Sequence, residues 1–216
     1  MPPSTPEIER DDGAQTPAQR YRALAPRAPE TGLVLTEVFT SSTEIEMEIG
    51  FGRGMFLLQR AERVPAAGLL GIEIKDKLAV RLAERIARRR LERVRVLAGD
   101  ARAIVAKLGP DAVLARVFMH FPDPWWKKRH AKRRLLDSTL LDQLARLLRP
   151  GGELFVQTDV EERAEVFLSE IKSHGAFVLE GGGYIAENPF GAVSNREARA
   201  VQDGLPIYRL LARRIG

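Results

Sequence analysis

The 216 residues, 44% hydrophobic and 29% charged with 18 glycines and 13 prolines, have the make-up of one globular domain large enough to bury a core without staples. The absence of cysteine excludes disulfide frameworks, thiol nucleophiles and Cys-based zinc or iron–sulfur sites. No run approaches the ~18 uncharged apolar residues of a membrane span or the basic-then-apolar start of a signal peptide, so a cytoplasmic protein is expected. Thirty-four Lys and Arg against 29 acids leave a net charge of +5, which favours a polyanionic partner but also suits a merely arginine-rich surface.

Residues 1–30 hold six of the 13 prolines and no apolar periodicity, and are expected to be a disordered or loosely docked tail. From residue 31 on, a single domain is expected. Residues 44–49 read as a strand and 54–63 as a helix opened by glycines. A strand at 69–74 leads to a helix carrying Leu78, Leu82 and Ile86 at i, i+4, i+8. Strand 93–97, a helix near 101–108 and strand 112–119 come next. After an unusual loop, Leu136, Leu140, Leu144 and Leu147 mark a helix stopped at Pro150 and Gly151. Strand 153–158, a helix through Ala164, Phe167, Leu168 and Ile171, strand 176–179, a polar glycine-rich insertion and a last strand at 206–211 complete the chain. This alternation predicts an α/β, doubly wound, Rossmann-like fold: seven strands, mostly parallel, with an antiparallel strand at the edge.

Ligands of such sheets sit beyond the carboxyl ends of the strands, and here those ends carry acids. The first strand runs through Glu48 into Gly50, Gly52 and Gly54; the second ends at Glu73, the third at Asp100, the fourth near Asp123. Acids at successive strand ends are costly unless they meet solvent or ligand donors. The spacing G-x-G-x-G differs from the G-x-G-x-x-G of dinucleotide sites, and an acid beside the turn repels a pyrophosphate but suits a cation. S-adenosylmethionine carries an ammonium and a sulfonium, with Glu73 placed to accept from its ribose, Asp100 from its adenine amino group, and Glu48 near its methionine part. The three histidines have no metal-ligand spacing, and no metal is expected.

Residues 121–135, FPDPWWKKRHAKRRL, place two tryptophans and six Lys or Arg directly after Asp123. Prolines fix the backbone around that carboxylate, Trp125 offers a stacking face, and Lys127, Lys128, Arg129, Lys132, Arg133 and Arg134 supply phosphate-binding charge. The arginines at 85–95 read as a solvated helix end.

With this block the sequence resembles the tRNA (guanine-N7)-methyltransferase family over about residues 35–213. The resemblance rests on EIGFGRG at 48–54, GIE at 71–73, Asp100, the 121–135 block, RPGGELFVQTD at 149–159, SNREAR at 194–199 and GLPIYRL at 204–210. It implies a class I methyltransferase that uses S-adenosylmethionine to methylate N7 of the guanosine at position 46 in the tRNA variable loop. It further implies that Glu48, Glu73, Asp100 and Asp123 line the cofactor site, with Asp123 also catalytic. Lys127, Asp159, Ser194, Asn195, Arg196 and Glu197 would contact substrate, and Arg129, His130, Lys132, Arg133 and Arg134 would touch RNA. The chain departs from the family in having Ser194 for Thr, Arg196 for an aromatic, and His120 where Asn is common. No obligatory protein partner is expected, and the protein would act as a monomer or homodimer. The competing reading is a methyltransferase acting on a different RNA, a small molecule or a protein.

Overall fold

The structure, a computed structural model, describes residues 16–122 and 135–216. Its first element, α1 (Pro17–Leu24), lies inside the stretch expected to be a tail. Thr16 caps it through the Gln19 amide with the reciprocal Gln19 side-chain bond, and Pro17 stands at its first position. No residue of α1 is fully buried, which is why periodicity is silent there. The segment just beyond α1 is anchored: Ala25 is buried, the Ala98 amide donates to the Pro26 carbonyl, and Arg27 bonds the Ala98 carbonyl and Asp76.

A short parallel pair, β1 (Leu33–Val34) with β5 (Leu108–Gly109), and the turn-length α2 (Leu35–Val38) flank the main sheet. That sheet is built from β2 (Ile45–Ile49), β3 (Gly68–Glu73), β4 (Val94–Ala98), β6 (Leu114–His120), β7 (Leu148–Thr158), β8 (Phe177–Ile185) and β9 (Tyr208–Arg214). The order is β4-β3-β2-β6-β7-β9-β8. Five neighbours run parallel; β9 is antiparallel to both β7 and β8. The last two strands thus form the antiparallel pair expected at one edge, and the strand that reverses direction is the inner of the two. The polar insertion is shorter than expected, since β8 continues through Gly181–Gly183 as a bulge before pairing resumes at Tyr184 with Leu210.

The helices α3 (Met55–Arg63), α4 (Asp76–Arg88), α5 (Ala101–Val105), α6 (Ser138–Leu147), α7 (Glu161–Ser173) and α8 (Asn195–Gln202) connect the strands. One face of the sheet presents Met47, Ile49, Ile72, Val117, Met119, Leu154 and Val156 to a core closed by residues of α5, α6 and α7, among them Leu140, Leu144, Phe167 and Ile171. The opposite face packs Leu69, Val94, Val96 and Ala98 against Leu57, Leu58 of α3 and Ala79, Val80, Leu82 of α4. The middle strands on that second face carry a different text. Glu46, Arg116 and Glu153 form a charged row at the amino ends of the strands, with Arg60 of α3 bound to both oxygens of Glu46 at 2.7 Å. Phe118 and Phe155 come next, with Phe56 tilted against Phe118 and Phe190 meeting both edge-on. Beyond them on the same face, His120 lies level with Gln157 at the carboxyl ends, and Glu48, level with Phe118, reaches across to His120, a consequence of the two-residue period of the strands.

Candidate active site

The turn after β2 is shaped by its glycines. Gly50, Gly52 and Gly54 all have positive φ, at 78°, 57° and 75°. They do different things. A Cβ on Gly54 would lie 2.3 Å from Cδ2 of the buried Leu82, so this glycine lets α3 seat against α4. Gly50 and Gly52 face open space and leave a cradle of bare backbone.

Glu73, the last residue of β3, braces that cradle. Its Oε2 accepts from the Gly52 amide at 2.9 Å and its Oε1 from the Lys75 amide at 3.1 Å, and the residue is buried. Each oxygen keeps a further lone pair, so acceptance from a ligand hydroxyl remains open to it. Asp100, past the end of β4, is exposed and caps α5 by accepting from the Arg102 amide at 2.8 Å.

Glu48 lies on the same face of β2 as Glu46 and is just as buried, at 1% exposure. Its Oε1 meets His120 Nδ1 at 2.8 Å, while its Oε2 is buried without a partner among the described residues. A carboxylate oxygen in that state is a receptor for a cation or a donor. With the open glycine turn and Glu73, it fits a ligand carrying a positive charge and a sugar hydroxyl, which S-adenosylmethionine satisfies.

Beyond β6 the chain turns sharply: Phe121 has φ of 51°, rare for an aromatic residue, and its amide donates to the Gln157 carbonyl at 2.7 Å. Asp123, Lys127, Arg129, His130, Lys132, Arg133 and Arg134 lie outside the described residues. The chain is described again at Leu135, whose carbonyl accepts from Arg102 at 3.1 Å. Asp137 then caps α6 through the Leu140 amide and pairs with the Arg102 guanidinium at 2.7 Å. Burial pushes the Asp137 carboxyl up, but the hydrogen bonds from Arg102 and the Leu140 amide outweigh it and hold it below the usual carboxylate range.

At the end of β7, Asp159 is almost fully buried and pairs with the half-exposed Arg196 guanidinium. It does not cap α7, whose capping position is Val160. Ser194, Asn195, Arg196 and Glu197 open α8, a helix absent from the sequence reading. Ser194 accepts from the Glu197 amide at 3.1 Å, and Asn195 Nδ2 approaches Met55 Sδ at 3.7 Å. Glu197 turns inward, buried, and takes Gln157 Nε2 at 2.8 Å, Asn188 Nδ2 at 3.2 Å and Arg209 at 3.2 Å. Its neighbours in this layer, Gln157, Asn188 and Arg209, were not singled out from sequence. The S-x-x-E spacing of Ser194 and Glu197 was the available signal for the helix start.

The strand ends thus bring Glu48, Gly50, Gly52, Glu73, Asp100, Asp159 and the start of α8 to the carboxyl end of the sheet. Among the described residues no three His, Asp or Glu cluster as metal ligands, and no helix is long and apolar enough to cross a membrane.

Comparison with known proteins extends this. A family model described as "Putative methyltransferase" matches residues 42–210. A tRNA (guanine-N(7)-)-methyltransferase of Nitrosococcus oceani is 36% identical over 213 residues, covering 95% of this chain and 89% of the relative. The namesake from Anaeromyxobacter dehalogenans is 42% identical over 167 residues, 77% of this chain and 83% of the relative. That of a Synechococcus strain is 39% identical over 165 residues, 76% and 70%. Among solved structures, the aminoglycoside resistance methyltransferase NpmB1 superposes with a TM-score of 0.56 at 20% identity, over 88% of this chain and 98% of that one. TrmN from Thermus thermophilus gives 0.59 at 16%, over 84% and 47%. At those identities the likeness shows the fold, a class I methyltransferase fold.

Proposed function

The chain belongs to the tRNA (guanine-N7)-methyltransferase family, and from that premise we propose that it transfers a methyl group from S-adenosylmethionine to N7 of guanosine 46 in the tRNA variable loop. The observation that carries the reading is the convergence, at the carboxyl end of the sheet, of the open glycine turn, the half-satisfied Glu48 and the braced Glu73. The family's basic block comes directly after β6.

The cofactor, when bound, supplies a methyl group activated by the adjacent sulfonium. Glu48 and the Gly50 to Gly54 backbone would hold its methionine end, Glu73 its ribose and Asp100 its adenine. Guanine N7 has a free lone pair and no proton to lose, so the protein's task is alignment and no general base is needed. The methylated base is a cation. A fixed carboxylate beside it stabilises the transition state more than the ground state, and we assign that role to Asp123. Arg196 offsets the charge of Asp159, which supports leaving this work to Asp123 and giving Asp159 a share in shaping the pocket. Lys127 and residues 194–197 would contact the substrate nucleotide, and Arg129, His130, Lys132, Arg133 and Arg134 the RNA backbone. N7 is hidden in the deep major groove of an A-form helix, so the target must be presented from a loop and held by stacking and phosphate contacts. The protein would act in the cytoplasm as a monomer or homodimer without another partner.

The test is methyl transfer from labelled S-adenosylmethionine to an unmodified tRNA transcript with guanosine at position 46, beside the same transcript carrying adenosine there. Label on the first alone, released by cleavage chemistry selective for 7-methylguanosine, is expected. Label on both, or on neither while the cofactor binds, would overturn the assigned acceptor.

A further inference from the structure

Two acids two residues apart on one strand face are treated in opposite ways. Glu46 receives two bonds from Arg60 and one from Arg116, all at 2.7 Å, so its buried charge is fully matched. Glu48, equally buried, receives one bond, from His120, and no guanidinium. Because a carboxylate only accepts, the hydrogen on that 2.8 Å contact sits on Nδ1 of the imidazole. The ring is held on its sides by aromatic neighbours, with centroids at 4.3 Å to Phe56, 5.9 Å to Phe155 and 6.0 Å to Phe118, and its side chain is 2% exposed. Packed in this way, the imidazole keeps Nδ1 aimed at the carboxylate, while its Nε2 is buried without a partner among the described residues.

We propose that His120 is the positioning residue for Glu48, fixing one carboxylate oxygen so that the other meets the positively charged methionine part of the cofactor. The inference rests on the S-adenosylmethionine reading above and adds a residue to it. What is required of position 120 is a hydrogen-bond donor at this height on β6. An asparagine amide supplies one and a leucine of similar bulk does not.

The test compares the full chain with His120→Asn and His120→Leu by calorimetry, using S-adenosylmethionine, S-adenosylhomocysteine and 5′-methylthioadenosine. The last has neither sulfonium nor ammonium. Circular dichroism melts establish that each variant is folded. His120→Leu is expected to weaken S-adenosylmethionine binding about tenfold, the scale of one well-made hydrogen bond to a charged group, with methylthioadenosine unaffected. His120→Asn should bind within about threefold of the parent, and kinetics on tRNA should place the His120→Leu loss in KM for the cofactor and not in kcat. Unchanged binding in His120→Leu, equal loss for all three ligands, or failure of asparagine to rescue would each overturn the proposal. A parent that binds S-adenosylmethionine but leaves tRNA unmethylated would sink the acceptor reading and leave the calorimetric comparison standing. A parent that does not bind the cofactor would sink both.

Discussion

Glu73 offers the sharpest separation of scaffold from ligand chemistry. Its two oxygens hold the amides of Gly52 and Lys75, at 2.9 and 3.1 Å, before any cofactor arrives. A hydrogen bond to a charged group contributes about 1.5–3 kcal/mol net. Because truncation to alanine admits water to both amides, the lower figure applies, and Glu73→Ala should cost about 3 kcal/mol for the pair. In a domain of this size that lowers the melting temperature by roughly 6–12 °C. Glu73→Gln keeps one acceptor and turns its NH2 against the other amide, so it should lose about half as much. A ligand at a hundred times its Kd adds about 2.7 kcal/mol to a competent protein. Melts with and without excess S-adenosylhomocysteine should therefore show two effects in Glu73→Ala: a lower baseline, and a smaller ligand-induced rise because the turn is no longer preset. An unliganded variant melting with the parent would refute the bracing argument and leave Glu73 a ligand contact only.

Gly54→Ala places a methyl in left-handed backbone and against the buried Leu82, so it should destabilise by about 2–5 kcal/mol in urea unfolding; a loss under about 1 kcal/mol would show that α3 is free to shift. Arg60→Leu leaves Glu46 with Arg116 alone and should cost about 3 kcal/mol, largely recovered when Glu46 is also made leucine; no recovery would mean that packing and not charge is at issue. Because the Asp137 carboxyl is depressed in the fold, its contribution is present above the ordinary carboxylate value and lost as pH falls through the folded one. Asp137→Asn keeps the cap, so its deficit of about 0.2–1 kcal/mol should appear at neutral pH and fade below about pH 4; a pH-independent deficit contradicts the ion-pair account. Asp123→Ala should cut turnover about a hundredfold or more with tRNA affinity little changed, and near-normal turnover would remove its electrostatic role.

The sheet and the helices with an apolar stripe are legible in the sequence because burial writes its period there: Leu78, Leu82 and Ile86 mark α4, and Leu140 and Leu144 mark α6. Two helices of eight residues are not. In α1 no residue is buried, and in α8 the buried ones are Glu197 and Ala200, so neither has an apolar period and only their caps announce them. Of the site, the acids at strand ends could be read from spacing alone. Their partners could not, because His120, Gln157 and Arg209 come from strands far apart in the chain and only the register β2–β6–β7–β9 brings them level. Glu46 and Glu48 read alike, and only the placement of Arg60 and Arg116 tells a neutralised acid from a waiting one.

The position of β9 bears on how the molecule comes into being on a ribosome. Among the described residues β8 pairs only with β9, and Arg209, one of the partners of Glu197, also lies on β9. Until residue 214 has emerged, a nascent chain holds β7 with an open edge, β8 without its partner strand, and Glu197 of α8 without the Arg209 guanidinium. The side from β2 to β4 can settle early, whereas β7 and β8 are joined only once β9 is available to lie between them. During that interval the bare edge of β7 is the place where two nascent chains could pair with each other, and chains interrupted before Tyr208 should be the ones that accumulate in aggregates.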